Sequence, residues 1–387
     1  MLKTEQPVSY SEIFSTALCS PTEHPLPETT SLVSVMEEGQ PGWPSNRKRQ
    51  HVEFTMKRTA QISAVTGAAL ALVLAGCSGS ASTKSESGAA GASEEYSIGI
   101  SQITTHTSLD AAREGFKQAF TDAGLNVKFD EQNAQGDQAT ATSIAAKFAE
   151  ADHDLILAIA TPSAQAIAQS IVDTPVLFTS VTDPVSAQLV DSLDAPGSNL
   201  TGTTDMNPVE EQIKLVKQFT PGAKSIGIIY SSGEVNSEVQ VKLAKTIAES
   251  EGLSVKETTI TISAEVQQAA QDLAGTVDAI YVPTDNTVVS AFASVVQAAE
   301  DAKIPLIAGE ADSVAKGALA TYGIDYNALG YQTGQMAIKI LTEGAEPATM
   351  PVESQTEYKL TVNKTTLEAI GLTLPDALKD TAVLVGE

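Results

Sequence analysis

From Tyr96 onward, short apolar runs alternate with helical patterns, and that alternation restricts the chain to sheets whose strands lie parallel. The runs at 96–101, 154–160, 175–179, 225–230, 279–282 and 305–308 are almost continuously apolar, as strands covered on both faces must be. Between most of them, residues 110–123, 138–151, 163–171, 209–219, 237–251 and 287–302 carry helical spacing. Strands that return through covering helices give the α/β class, here as doubly wound, Rossmann-like sheets. Two such series are present, one ending near Pro196 and the other starting near Met206, each with a β-α-β-α-β rhythm. The expected architecture is two similar lobes. About 290 residues are too many for one simple core and suit two.

The segment ahead of the lobes reads differently. Leu74-Ala75-Gly76-Cys77 closes an apolar stretch that begins near Ile62, behind the basic pair Lys57-Arg58. Basic residues, an apolar segment, small residues and a cysteine make a lipoprotein signal, with Cys77 as the lipidated residue. The apolar stretch is about 14 residues, short of the roughly 20 that a spanning helix wants, so a permanent transmembrane helix is the weaker reading. Residues 56–76 are therefore expected to be a signal peptide, and the Ser-, Gly-, Ala- and Glu-rich residues 77–95 a flexible tether. Residues 1–55 show no sustained period and are expected to be a disordered, non-native extension ahead of a true start at Met56, the alternative being a cytoplasmic extension.

Composition excludes several function classes. The formal net charge is -25, almost all of it after Cys77, and such a surface repels nucleic acid and anionic lipid. The two cysteines are Cys19 and Cys77, so the lobes hold no disulfide, thiolate nucleophile or cysteine metal site. GxSxG, Walker A, HExxH and glycine-rich dinucleotide motifs are absent, and an enzyme is not expected. His106 and His153 lack metal-ligand spacing and are expected to be solvated loop residues, so no metal or cofactor is assigned.

In sheets of this kind a ligand lies beyond the carboxyl ends of the strands, which makes the residues after each strand the candidates. In the first series these are Gln102, Thr161, Ser163, Thr182 and Asp183. In the second they are Tyr230, Ser232, Glu234, Asn236, Thr284, Asp285, Asn286 and Glu310. The set holds hydroxyls, amides and carboxylates but no basic residue. Carboxylates can grip an ammonium, while hydroxyls and helix N-terminal N–H groups can grip a carboxylate. Each candidate also has a structural reading. Thr161 and Ser163 flank Pro162, where hydroxyls cap helices and proline opens them. Thr182-Asp183-Pro184 is a turn signal, and Asp285 can cap the helix that starts near Thr287. A buried Glu310 needs a partner, which an ammonium or a hinge hydrogen bond supplies equally. Gln102 and Asn133 can equally brace loops. Tyr230 either stacks on a planar ligand or covers the sheet edge.

The stretches IGISQITTHTSLDAAREGF, NAQGD, LILAIATPSAQAIAQ, TPVLFTSVTDPV, NLTGTTDM, IIYSSGEVNSEVQV, AIYVPTDNTVVSA, IPLIAGE and GALATYGIDYNALGYQTG, in that order, resemble the ABC-transporter substrate-binding family of tryptophan and tyrosine type. The resemblance runs from about Tyr96 to the C-terminus. It implies a type I periplasmic-binding-protein fold, with lobe 1 at 96–200 plus 320–345 and lobe 2 at 205–317 plus 350–387. Crossovers are then expected near 199–204, 318–322 and 343–352. It also implies a monomeric, lipid-anchored extracytoplasmic receptor that closes on an amino-acid-like ligand and presents it to ABC permease subunits. A sensory receptor using the same clamp is the alternative, and an enzyme or adhesion protein on this fold a third.

Overall fold

The computed structural model describes residues 95–386. The expected extension, signal peptide, Cys77 and nearly all of the tether lie outside the described residues. The first sheet is built from β1 (Glu95–Gln102), β2 (Asn126–Asn133), β3 (Leu155–Ile159), β4 (Val176–Thr179) and β5 (Leu200–Thr204). Helices α1 (Thr107–Asp122), α2 (Gln138–Ala149) and α3 (Thr161–Ala168) connect the earlier strands. The second series runs α4 (Val209–Phe219), β6 (Ser225–Ser231), α5 (Val235–Ser250), β7 (Ser254–Ile260), α6 (Val266–Ala274) and β8 (Ile280–Val282). It continues through α7 (Asn286–Ser290), α8 (Phe292–Ala302), β9 (Leu306–Ala308), α9 (Ala311–Ala315) and β10 (Ala320–Gly323). The C-terminal part holds α10 (Tyr326–Glu343), β11 (Glu353–Ser354), β12 (Lys359–Asn363), α11 (Lys364–Ala369) and β13 (Val383–Val385).

The sheets have the orders β11-β5-β4-β3-β1-β2 and β13-β12-β10-β9-β8-β6-β7. Every pairing is parallel except β10 with β12. β3, β4, β8 and β9 are buried along their whole length, the consequence of helices on both faces. The two sheets carry separate cores: Ile98, Phe116, Phe148, Leu157 and Phe178 lie in one, and Ile213, Val216, Ile228 and Leu360 in the other.

The crossovers fall slightly later than the sequence suggested. They are residues 205–208 after β5, 324–325 after β10, and 355–358 after β11. β10, expected in lobe 1, belongs to the second sheet because it pairs with both β9 and β12. β11, expected in lobe 2, pairs with β5 through Glu353 opposite Thr203 and Ser354 opposite Thr204. Amide side chains tie the crossovers together. Asn207 Oδ1 accepts from Ile324 N at 3.2 Å, and Gln355 accepts from Asp325 N at 3.1 Å while donating to Asp325 O at 2.8 Å.

Helix α10 returns to the first lobe and packs on α1 through small residues. A Cβ on Gly330 would collide with the Ala112 carbonyl, one on Gly115 with the Asn327 carbonyl, and one on Gly334 would sit 2.7 Å from Phe116 O. These glycines set the helix separation, so lobe 1 is closed by a helix that arrives only after the chain has built most of lobe 2. Gly330→Ala is expected to destabilise the protein by about 1–3 kcal/mol through overpacking. Gly222→Ala, where an added Cβ meets nothing within 4 Å, is the control and should unfold in urea close to wild type.

Candidate functional site

The loops after β1 and β3 in one lobe and those after β6 and β8 in the other line one cleft, within a single compact unit. A cavity of about 610 Å³ lies between them, lined by Thr104, Pro162 and Gln165 of the first lobe and by Glu234, Ile262 and Asn286 of the second. No basic side chain lines it. Ser108 Oγ, near the start of α1, donates to Asp312 Oδ2 of α9 at 2.8 Å and bridges the lobes.

In the first lobe the backbone at the strand ends is strained. Ala160 after β3 has φ +76° and Ser180 after β4 has φ +58°, values uncommon for non-glycine residues. Ala160, with no side chain to offer, is the residue that caps α3. Thr161 therefore stands inside the helix, and its Oγ1 has no protein partner although the residue is buried. The capping role open to Thr161 is excluded, because the turn places the hydroxyl one residue too late. Ser180 Oγ is likewise buried and unpartnered. Ser163 is buried with its hydroxyl 3.5 Å from Ser101 Oγ. Gln102 is braced within the lobe, donating to Thr104 O at 2.7 Å and Asp110 Oδ1 at 2.9 Å.

In the second lobe a buried network holds the loop before α7. Glu234 accepts from Asn286 N and Nδ2, from Thr287 N and Oγ1, and from Asn236 Nδ2, at 2.6–3.1 Å. Asp285 caps α7 through Val288 N at 2.7 Å and also accepts from Ser231 N and Ser237 Oγ. Burial pushes the Asp285 carboxyl up, and the charge of Glu234 pushes it further. Asn236 donates to Thr284 O at 3.0 Å, so Glu234, Asn236, Thr284, Asp285 and Asn286 form one unit.

Three candidates lie elsewhere. Asp183 is committed to its own turn, accepting from Val185 N, Ser186 N and Ser186 Oγ. Tyr230 is drawn to the sheet edge, its hydroxyl donating to Glu257 at 3.1 Å beside Lys242 and Lys245. Ser232 is exposed, and its N–H completes the β7 edge on Ile260 O. Asn133 donates to Thr105 Oγ1 and accepts from Gln135 N, bracing its loop. The histidines also differ from expectation. His106 is buried at the start of α1, with Nδ1 unpartnered. His153 packs edge-on against Phe148 at 5.1 Å, its Nδ1 3.0 Å from Ser97 Oγ.

The hinge adds two residues that the sequence reading missed. Asp205, on the first crossover and 1% exposed, accepts from Thr182 Oγ1 at 2.9 Å and from Tyr326 Oη at 2.8 Å. Burial pushes its carboxyl up to about 6; the two hydroxyl hydrogen bonds oppose this, and the charge of Glu310 adds to it. Burial also raises the Tyr326 hydroxyl well above its usual range, helped by Asp205 and Glu310. Glu310 itself is 1% exposed, with Oε1 accepting from Ser313 Oγ at 3.0 Å and Oε2 unpartnered. The only sequence sign of Asp205 was its place at the end of a threonine-rich strand, beside the first expected crossover.

The raised carboxyl has a signed consequence for stability. Its folded value lies above the unfolded one, so the folded state holds the extra proton between about pH 4 and 6, and stability falls as pH rises through that window. The contribution is on the order of 3 kcal/mol. Urea unfolding of ligand-free protein should therefore show wild type losing that amount relative to Asp205→Asn between pH 4 and 7, with the variant as stable as wild type or more so at pH 8.

Comparison with known proteins agrees with this architecture. The family profile described as ABC transporter substrate binding protein matches residues 97–385. A "Tyrosine-binding protein" of Clostridioides difficile (strain R20291) is 44% identical over 306 residues, covering 78% of this chain and 88% of that protein. An ABC domain from Streptococcus pneumoniae solved in complex with L-Trp is 36% identical, covers 76% of this chain and 100% of its own, and has a TM-score of 0.73. The ligand-free, open structure of a Clostridium difficile substrate-binding protein with adhesive properties is 45% identical, covers 75% and 99%, and has a TM-score of 0.58. The ligand-bound structure is thus the better overall match despite its lower identity. The fold is that of type I periplasmic binding proteins, and the matching family consists of solute-binding proteins, not enzymes.

Proposed function

This chain belongs to the family of ABC transporter substrate-binding proteins, and on that premise we propose that it is a monomeric, extracytoplasmic receptor closing its two lobes on an aromatic amino acid. The observation that carries the reading is that buried polar atoms at the strand ends of both lobes lack protein partners. Thr161 Oγ1 and Ser180 Oγ come from one lobe and Glu310 Oε2 from the other. Each would cost about 1–3 kcal/mol if it stayed unsatisfied, and a zwitterion offers complementary partners to all three. The start of α3 presents N–H groups and hydroxyls to a carboxylate, while Glu310 and Asp205 suit an ammonium. The absence of basic side chains from the cavity lining disfavours phosphates and dicarboxylates. The tyrosine and tryptophan named for two relatives direct the choice to aromatic side chains, which the Pro162 and Ile262 surfaces can cover.

In this reading Cys77 carries lipid, and the tether holds the clamp near an ABC permease that recognises the closed form. Among the described residues no helix is long and apolar enough to cross a membrane. Replacing Cys77 with Ala should abolish incorporation of labelled palmitate in a bacterial host and release the protein from the membrane fraction.

Ligand binding should stabilise the protein by mass action, by about 2.7 kcal/mol at a hundred times the Kd. Thermal unfolding with each of the twenty amino acids, a purine set and simple sugars is expected to show a shift of several degrees for L-tyrosine or L-tryptophan alone. No shift with any of them at millimolar concentration would remove the transport reading.

A further inference from the structure

We infer that Asp205 and Glu310 together seat the ligand's ammonium group, and that this seat releases a proton when the ammonium enters. The inference rests on the amino-acid reading above and specifies which atoms hold the amine and what they give up.

The geometry is asymmetric. Asp205 has both carboxylate oxygens engaged by hydroxyls, Thr182 from the β4 loop of lobe 1 and Tyr326 from the start of α10. Glu310 has one oxygen engaged by Ser313 and the other free of any protein donor, although the residue is 1% exposed. A Cβ on Gly323 would lie 3.4 Å from Ala311 N and 3.8 Å from Asn207 Oδ1, so the backbone beside Glu310 runs next to the crossover that carries Asp205. Among the described residues, no Lys, Arg or His forms a hydrogen bond or ion pair with either carboxylate. Asp312, the nearest further acid in sequence, is turned to Ser108. The side chains bonded to the pair are hydroxyls: Thr182 and Tyr326 on Asp205, and Ser313 on Glu310.

Two carboxylates buried together cannot both ionise cheaply; a proton or a cation must compensate one of them. The elevated Asp205 carboxyl fits a proton as the compensator below about pH 6 when no ligand is present. A primary ammonium brings three donors and one positive charge, and it can reach the open Oε2 of Glu310 while taking over the charge balance. The exchange balances without any covalent change: the singly protonated pair and R–NH3⁺ become the doubly ionised pair holding R–NH3⁺, and one H⁺ passes to solvent. Since Asp205 stands on a crossover and Glu310 on lobe 2, the same contact draws the second lobe toward the hinge.

Calorimetric titration of the full chain with L-tyrosine and with L-tryptophan, each in two buffers of different ionisation enthalpy, tests this. Whichever of the two binds should release about half a proton per ligand at pH 6 and almost none at pH 8. Its affinity should be nearly flat from pH 7 to 8 and fall about fivefold between pH 6 and 5. The desamino analogue, 3-(4-hydroxyphenyl)propionate or indole-3-propionate, should bind at least a hundredfold more weakly and release no proton. Asp205→Asn should weaken binding and abolish the pH dependence. Glu310→Gln gives the same test at the other carboxylate if the first variant folds poorly. Binding of an aromatic amino acid with no proton release, or equally tight binding of its desamino analogue, would overturn the inference and leave the amino-acid reading intact. Failure of both amino acids to bind wild type would overturn both.

Discussion

A carboxylate held out of water between two lobes, with no cationic side chain bonded to it, holds its proton to a higher pH than usual and favours the arrival of a cation. Asp205 is in that position, and the rest of the arrangement follows from it. It stands on the first crossover, receives its hydrogen bonds from a lobe 1 loop and from the helix that follows the second crossover, and feels the charge of a lobe 2 carboxylate. One buried group is thus coupled to both lobes and to two of the three connections between them. A structural ion pair would have carried its own cation. Among the described residues no such cation is bonded to it, and the proposed ammonium seat starts from that.

The remainder of the fold delivers such groups to one place. Parallel strands in two doubly wound sheets direct their carboxyl ends, and the loops that follow them, toward a common cleft. Within lobe 2 the loops are rigid: Glu234 and Asp285 satisfy the backbone around residues 284–288, so this wall of the cleft is fixed before any ligand arrives. In lobe 1 the corresponding loops carry positive φ at Ala160 and Ser180 and leave their hydroxyls unpaired. In lobe 2 the unmet atoms are Glu310 Oε2, Thr284 Oγ1 and Asn236 Oδ1, so both walls keep polar atoms that a ligand could satisfy. Asn207 and Gln355 cross-link the crossovers, so the connections between the lobes are held side by side.

The fold class was legible in the sequence because buried parallel strands announce themselves as apolar runs, and β1, β3, β4, β6, β8 and β9 all do so. β2 and β7 were not legible, since as edge strands they are half exposed and read VKFDEQN and SVKETTI. β5 was hidden in the threonine-rich LTGTT, whose polar side chains are buried by neighbouring hydroxyls such as Thr179 and Thr333. The site was legible as a set of strand-end loops but not residue by residue. Whether a hydroxyl caps a helix or faces a cleft depends on a shift of one position, as at Ala160 and Thr161, and spacing does not encode that shift. Asp183 and Asp285 look alike in sequence, yet the first is spent on its own turn while the second joins a buried network. Asp205 and Tyr326 are about 120 residues apart and meet only because the two crossovers run side by side.

The central claim is that both lobes grip one small molecule at their strand ends. Amide hydrogen exchange, with and without L-tyrosine or L-tryptophan, tests it most directly because it reads each loop separately. The account predicts simultaneous protection at residues 160–164 and 180–183 of lobe 1, at 309–313 of lobe 2 and at crossover residues 205–208, with the outer edge strands unchanged. Protection confined to one lobe, or appearing only on surfaces away from the strand ends, would contradict it.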